Sequence, residues 1–192
     1  MTPISVIDAT ELAASTAIRD GRFTKVFSNA AMHWILRPRE KRAEFFRSVR
    51  GALKPGGTFV FEMGGLGNIS EARMALLMSA ARRIGLEKAR EADPWFFPDE
   101  GWLANVMECE VGGWKVERIE REWRPTTAGK GGIEGWVRLM GQSFFDAVPE
   151  SEKEECIREV VDAAKVVCAN PSGGEMLSYV RLRCIARKLP EP

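Results

Sequence analysis

Two apolar runs, Phe23-Thr24-Lys25-Val26-Phe27-Ser28 and Thr58-Phe59-Val60-Phe61-Glu62-Met63, flank a segment that opens at Pro38 and stops at Lys54-Pro55-Gly56-Gly57. Each run is short and rich in β-branched and aromatic residues, which suits a buried strand. The segment between them puts Phe46, Val49 and Leu53 on one stripe at helical spacing, with proline at its start and glycines past its end. Strand, helix and strand in this order call for a crossover between parallel strands. The expected fold is therefore α/β, a layered sheet with helices on both faces. Ligands of such sheets collect at the carboxyl ends of the strands. Here those ends are Asp8, Ser28-Asn29 and Glu62-Met63-Gly64.

The flanking sequence extends this pattern. Ile4 to Ile7 is a short β-branched run, followed by a helix candidate over 10–20 with Gly21 as its stop. After Gly64-Gly65-Leu66-Gly67, Asn68 stands three residues before Glu71, the spacing of a capping box. Ile69, Ala72, Leu76, Ala80 and Ile84 then line one helical face. An aromatic loop, Asp93 to Pro98, precedes a short helix over 101–109, and 114–123 is extended. A Gly/Thr loop over 125–132 leads to two helices. One is striped by Ile133, Trp136, Val137, Met140 and Phe144, the other by Cys156, Ile157, Val160, Val161, Ala164 and Val167. The last strand alternates Val180, Leu182, Cys184 and Ala186 with Arg181, Arg183, Ile185 and Arg187. One domain over 1–192 is expected, since 192 residues suit a single core.

Composition narrows the chemistry. Lys and Arg total 28 against 27 Asp and Glu, a net charge of +1, without the basic excess of a nucleic-acid binder. No apolar run reaches the roughly 18–20 residues of a membrane span. No basic segment leads into an apolar one at the start, so no signal peptide is read and a cytoplasmic location is expected. The four cysteines, Cys109, Cys156, Cys168 and Cys184, form no CxxC pair, and His33 is the sole histidine. No zinc site of the usual spacing is expected, and the thiols are read as reduced and mostly buried.

Several residues carry two readings each. Asp8 could accept hydrogen bonds from a base amine or a ribose hydroxyl, or cap the helix after it. Gly64 to Asn68 could cradle a phosphate at a helix start, or form a tight turn under close backbone packing. Ser70 stands where the third glycine of a dinucleotide loop would be. His33, with Asn29 at the end of the strongest strand, could serve as a general base, or be a hydrogen-bonded structural residue. Trp95, Phe96, Trp136, Phe144 and Phe145 could line an apolar cavity, or be core. The charge run from Glu150 to Glu155 is simplest as a solvated helix face.

Together these stretches resemble the class I S-adenosylmethionine-dependent methyltransferases, and more nearly the small-molecule branch that includes trans-aconitate methyltransferase. The resemblance rests on Asp8-Ala9-Thr10-Glu11-Leu12, on Phe23 to Ile35 with its Asn29-Ala30-Ala31-Met32-His33-Trp34-Ile35, and on Leu53 to Gly65. Pro94-Trp95-Phe96-Phe97-Pro98 is similar to the segment after the family's fifth helix, and the helices over about 130–168 to its lid insertion. The resemblance implies a Rossmann-like sheet of parallel strands plus a C-terminal antiparallel strand. It implies that Asp8 and Ala9 grip the adenine and that Asn29 and Ala30 pass the methionine part of S-adenosylmethionine. His33 would be the catalytic base, with Trp34, Trp95 and Trp136 toward a small-molecule substrate, a carboxylic acid among the candidates. No metal is implied. Lys25 stands where the family usually carries aspartate.

The family also begins with a strand, a glycine-rich loop, a helix and a strand ending in an acidic residue. Nothing before Asp8 supplies these, which leaves two β-α units of roughly 30 residues each unaccounted for. The expectation is a truncated domain with weak or no cofactor binding. An exposed edge on strand 23–28 is expected to pair with Ile4 to Ile7 or, preferably, with a second copy in a homodimer. Two other functions fit the same residues. One is a repurposed scaffold acting as a cofactor-independent isomerase or cyclase, and the other is a non-catalytic partner subunit.

Overall fold

A computed structural model describes residues 6–15, 18 and 21–190. After a 3-10 turn at Ala9–Ala14, the elements run β1 (Phe23–Asn29), α1 (Met32–Ile35), a 3-10 turn at Arg39–Lys41, α2 (Arg42–Ala52) and β2 (Leu53–Gly64). Then come α3 (Ser70–Ile84), α4 (Leu86–Ala92), α5 (Glu100–Ala104), a π-helical stretch at Asn105–Val111 and β3 (Trp114–Thr127). Last are α6 (Gly132–Met140), α7 (Gln142–Ala147), α8 (Glu150–Cys168) and β4 (Met176–Lys188). The four strands form one sheet in the order β1-β2-β4-β3. The chain divides into two compact units, residues 1–66, 95–122 and 181–192 in the first, and residues 67–94 and 123–180 in the second.

The first unit contains the crossover read from the sequence. β1 and β2 are parallel, with Val26 beside Phe59 and Ser28 beside Phe61. β4 runs antiparallel on the other side of β2, setting Ala186 against Phe59, Cys184 against Phe61 and Leu182 against Met63. Because side chains alternate along a strand, Phe59, Phe61, Met63, Leu182, Cys184 and Ala186 share one face and are buried. Met32 and Leu36, Phe46 and Val49 of α2, Leu103 of α5 and Met107 pack with them in one core. Each large side chain buried there contributes roughly 1.5–3 kcal/mol. Lys54-Pro55-Gly56-Gly57 ends α2 as expected but continues into β2. The pairing jumps from Phe23–Leu53 to Lys25–Thr58, so these residues form a bulge, with Gly56 at φ +76°.

The opposite face sets Phe27, Val60 and Ile185 in one row beside a set of ion pairs. Glu62 accepts from Arg181 at 3.0 Å and from Arg183 at 2.6 Å, Arg183 also pairs with Glu122, and Arg187 meets Glu117 at 2.5 Å. On β1, the end strand of the sheet, Phe27 is 72% exposed. Of the strand expected at Ile4 to Ile7, Ile4 and Ser5 lie outside the described residues. Val6 and Ile7 are in no strand, and Val6 is 99% exposed. The helix expected over 10–20 is a 3-10 turn ending at Ala14, and residues 16, 17, 19 and 20 lie outside the described residues.

In the second unit the capping box is overturned. Ile69, at φ 46°, precedes the first turn of α3, and no side chain caps it. Asn68 Oδ1 instead accepts from the Val180 amide at 2.8 Å and Glu71 Oε1 from the Ser178 amide at 2.6 Å. Two β4 amides outcompete the local amides for these oxygens. The helices over 130–168 are three, since Gly141 separates α6 from α7. Its position against Leu76 and Phe145 leaves no room for a side chain. Ser79, Arg83 and Glu159 form a network, with Ser79 Oγ 2.8 Å from Glu159 Oε2 and Arg83 on both Glu159 oxygens. These bonds hold the Glu159 carboxyl down at about 2. Glu150 and Glu152 occupy the first turn of α8, as the solvated charge run implied.

Candidate functional site

The chain leaves β1 through an abrupt turn. Asn29 ends the strand, and Ala30 adopts φ 53°, a left-handed conformation that costs a non-glycine residue free energy. The Ala30 amide is held by the Glu62 carbonyl at 2.8 Å. This turn lies at the carboxyl end of two adjacent parallel strands, with Asn29 paired in register to Glu62. Asn29 and Ala30 are exposed there, while the next turn carries Met32 and His33 inward.

His33 is only 6% exposed. Its Nδ1 accepts from the Gly64 amide at 3.2 Å, and its carbonyl accepts from the Phe96 amide at 2.9 Å. The ring lies 5.6 Å from Trp34 and 5.7 Å from Phe97, while Trp34 meets Trp95 edge-on at 5.6 Å. Trp34 is 39% exposed and Trp95 buried. Burial, with a smaller contribution from the Arg181 guanidinium, pushes the imidazole down from its ordinary 6.5 to about 4. At neutral pH the ring is therefore uncharged, with its Nδ1 lone pair already occupied.

Asp8 makes the bond of the simpler of its two readings. Its Oδ1 accepts from the Thr10 amide and hydroxyl, both at 2.8 Å. These two bonds lower its pKa and start the 3-10 turn. Ala9, Thr10, Leu12 and Ala13 from that turn face Ile35, Phe45 and Ser48 across a small surface cleft. Ala9 is thus brought near the α1 end of the Asn29–Ile35 segment. The Oδ2 atom of Asp8 has no partner among the described residues.

The glycine loop has the geometry of the tight turn. A Cβ on Gly65 would lie 3.0 Å from Leu182 Cβ and 3.2 Å from Arg121 Cδ. Its neighbours' amides are committed to protein acceptors, Gly64 to His33 and Leu66 to the Pro98 carbonyl. Trp136 belongs to the second unit, where its indole N–H is spent on the Tyr179 hydroxyl at 2.8 Å. Phe144 and Phe145 are core there. Phe97 and Gly64 were not singled out as partners of His33, and only their burial beside it identifies them. Cys156, Cys168 and Cys184 are buried and Cys109 exposed; burial raises the Cys168 thiol to about 11 and the Cys184 thiol to about 12. Among the described residues no cluster of His, Cys, Asp or Glu is arranged to hold a metal, and no helix is long and apolar enough to cross a membrane.

A family model described as a methyltransferase domain matches residues 4–61. Over 186 residues the chain is 35% identical to Uncharacterized methyltransferase C70.08c of Schizosaccharomyces pombe, an alignment covering 95% of this chain and 69% of that protein. Among solved structures, a candidate methyltransferase of Bacillus halodurans matches with a TM-score of 0.54 at 16% identity, over 95% of this chain and 70% of that one. A SAM-dependent methyltransferase of Methanosarcina mazei matches at 0.52 and 12% identity, over 97% and 67%. At these identities the structures speak to the fold alone.

Proposed function

The chain belongs to the class I S-adenosylmethionine-dependent methyltransferases, and from that premise we propose that it acts on a small molecule held beside Trp34 and Trp95. The observation that carries this reading is the buried, fixed imidazole of His33 between two aromatic rings, one turn beyond the strained exit from β1. S-adenosylmethionine, when bound, supplies an activated methyl group. Asp8, through its Oδ2, and Ala9 would hold the adenine, and Asn29 and Ala30 the methionine part. The protein's contribution to an in-line displacement is chiefly to position the nucleophile. With its Nδ1 lone pair engaged by the Gly64 amide, His33 is poorly placed to take a proton, which favours a nucleophile that arrives ionised. A carboxylate does so, which favours a carboxylic acid as substrate. Edge-to-edge pairing of two copies through β1 belongs to the same reading, since the Phe27 side chain is left 72% exposed on that strand.

Residues 1–22 contain a single glycine, Gly21, so the polypeptide 1–192 offers no glycine-rich loop at the ribose and methionine carboxylate. Weak binding of S-adenosylhomocysteine is expected. Titration calorimetry on residues 1–192 tests this. Weak heats that disappear in both Asp8→Ala and Asn29→Ala support the assignment. Submicromolar binding indifferent to both substitutions refutes it.

A further inference from the structure

The His33 ring is 6% exposed and held in place, yet its Nε2 is not sealed from solvent. With Nδ1 accepting from the Gly64 amide, the proton of the neutral ring sits on Nε2. Among the described residues nothing accepts from that N–H. The ring cannot readily turn to find a partner. Trp34 and Phe97 flank it, and its own carbonyl is tied to the Phe96 amide. A donor so fixed, with no protein acceptor and open to solvent, is available to an acceptor from outside.

We propose that the Nε2–H of His33 is a specificity-determining donor that selects a carboxylate oxygen on the small molecule held beside Trp34 and Trp95. This rests on the reading above that a small molecule binds there. The groups around the ring favour an acceptor over a cation. The fixed N–H presents hydrogen, not a lone pair, and the Arg181 guanidinium of β4 acts on the imidazole from nearby. Glu62 of β2 engages Arg181 and Arg183 and is thereby occupied. Met32, Trp34, Phe96 and Phe97 bring no titratable group to the ring. The inference changes the part expected of His33 from moving a proton to recognising an oxygen, and it needs the imidazole to remain neutral throughout.

The chain has one histidine, so residues 1–192 labelled with 15N-histidine give a single imidazole spin system. The expected spectrum is that of the Nε2–H tautomer, and titration with sodium benzoate moves the Nε2 resonance while benzylamine leaves it in place. His33→Asn keeps an acceptor for the Gly64 amide and lacks the Nε2 donor. It is expected to weaken benzoate binding, followed through the tryptophan indole signals, by roughly tenfold or more, the size of one hydrogen bond to a charged group. An Nδ1–H tautomer overturns the inference. So does benzoate that moves the indoles of Trp34 and Trp95 but not the imidazole, which leaves the small-molecule reading standing. If benzoate and benzylamine move neither indoles nor imidazole, the small-molecule reading falls and this inference with it. The wild-type arms decide the matter even if the variant does not fold.

Discussion

Acidification should cost the folded chain stability through the His33 imidazole. In the folded state the ring takes up its proton only near pH 4, because burial first and Arg181 second oppose the charge. The unfolded chain takes it up near the ordinary value of 6.5. Between these values the unfolded state binds more protons, so stability falls as pH falls. The stability that comes from keeping the ring neutral is fully present above 6.5 and is lost progressively down to about 4. At about 1.36 kcal/mol for each pH unit between the two values, the whole window is worth about 3 kcal/mol. Most of that, about 2 kcal/mol, falls between roughly pH 7 and pH 4.5. Urea unfolding of the wild-type chain and of His33→Asn at these two pH values isolates the effect. Every carboxylate titrates in both proteins and cancels in the difference. The advantage of wild type over the variant should shrink by about 2 kcal/mol on acidification. Parallel pH profiles would show that the imidazole is not held neutral, and the argument from its burial would fail.

Gly141→Ala places a Cβ 2.5 Å from Leu76 Cδ2, 2.7 Å from the Val137 carbonyl oxygen and 2.8 Å from Phe145 Cε2. A backbone atom cannot swing aside, so a loss of about 1–3 kcal/mol is expected, read as a lower melting temperature; an unchanged melting temperature contradicts the packing described. Glu71→Ala removes the acceptor of the Ser178 amide, and hydrogen exchange at Ser178 should accelerate, with a stability loss of about 1 kcal/mol. Unaltered protection of that amide would mean that Glu71 caps its own helix after all. Light scattering on residues 1–192 should give twice the monomer mass, and Phe27→Lys should return the monomer by placing charge on the apolar edge. A monomeric wild-type chain at micromolar concentration rules out pairing through β1.

The parts of this fold legible in the sequence are those whose signal is local and strongly periodic. α2, β2 and β4 each bury one regular face, so Phe46, Phe61 and Cys184 announce themselves by spacing. α1 is too short, at four residues, to show a helical period, and α4 follows Gly85 without an apolar stripe of its own. Asn68 and Glu71 misled because their spacing matches a local motif, while the amides that claim them lie 112 and 107 residues away in sequence. At the candidate site, the residues were legible but not their state. Nothing in Asn29-Ala30-Ala31-Met32-His33-Trp34 says that Ala30 is left-handed, or that Gly64 and Phe97 close around the imidazole. Those facts depend on how distant segments meet, and they set the surroundings of the imidazole.

The central position of β2 has a consequence for how this protein is made. One side of β2 pairs with β1, which has already been synthesised, and the other with β4, which begins only at Met176. At ~5–20 residues per second, the ribosome needs roughly 6–20 s to travel from the end of β2 to the start of β4. Throughout that interval Phe59, Phe61 and Met63 sit on a strand with one bare side, the arrangement most prone to wrong partners. Productive folding of the nascent chain therefore depends on something shielding that strand until its last neighbour emerges, and the yield should be most sensitive to chaperone supply during those seconds.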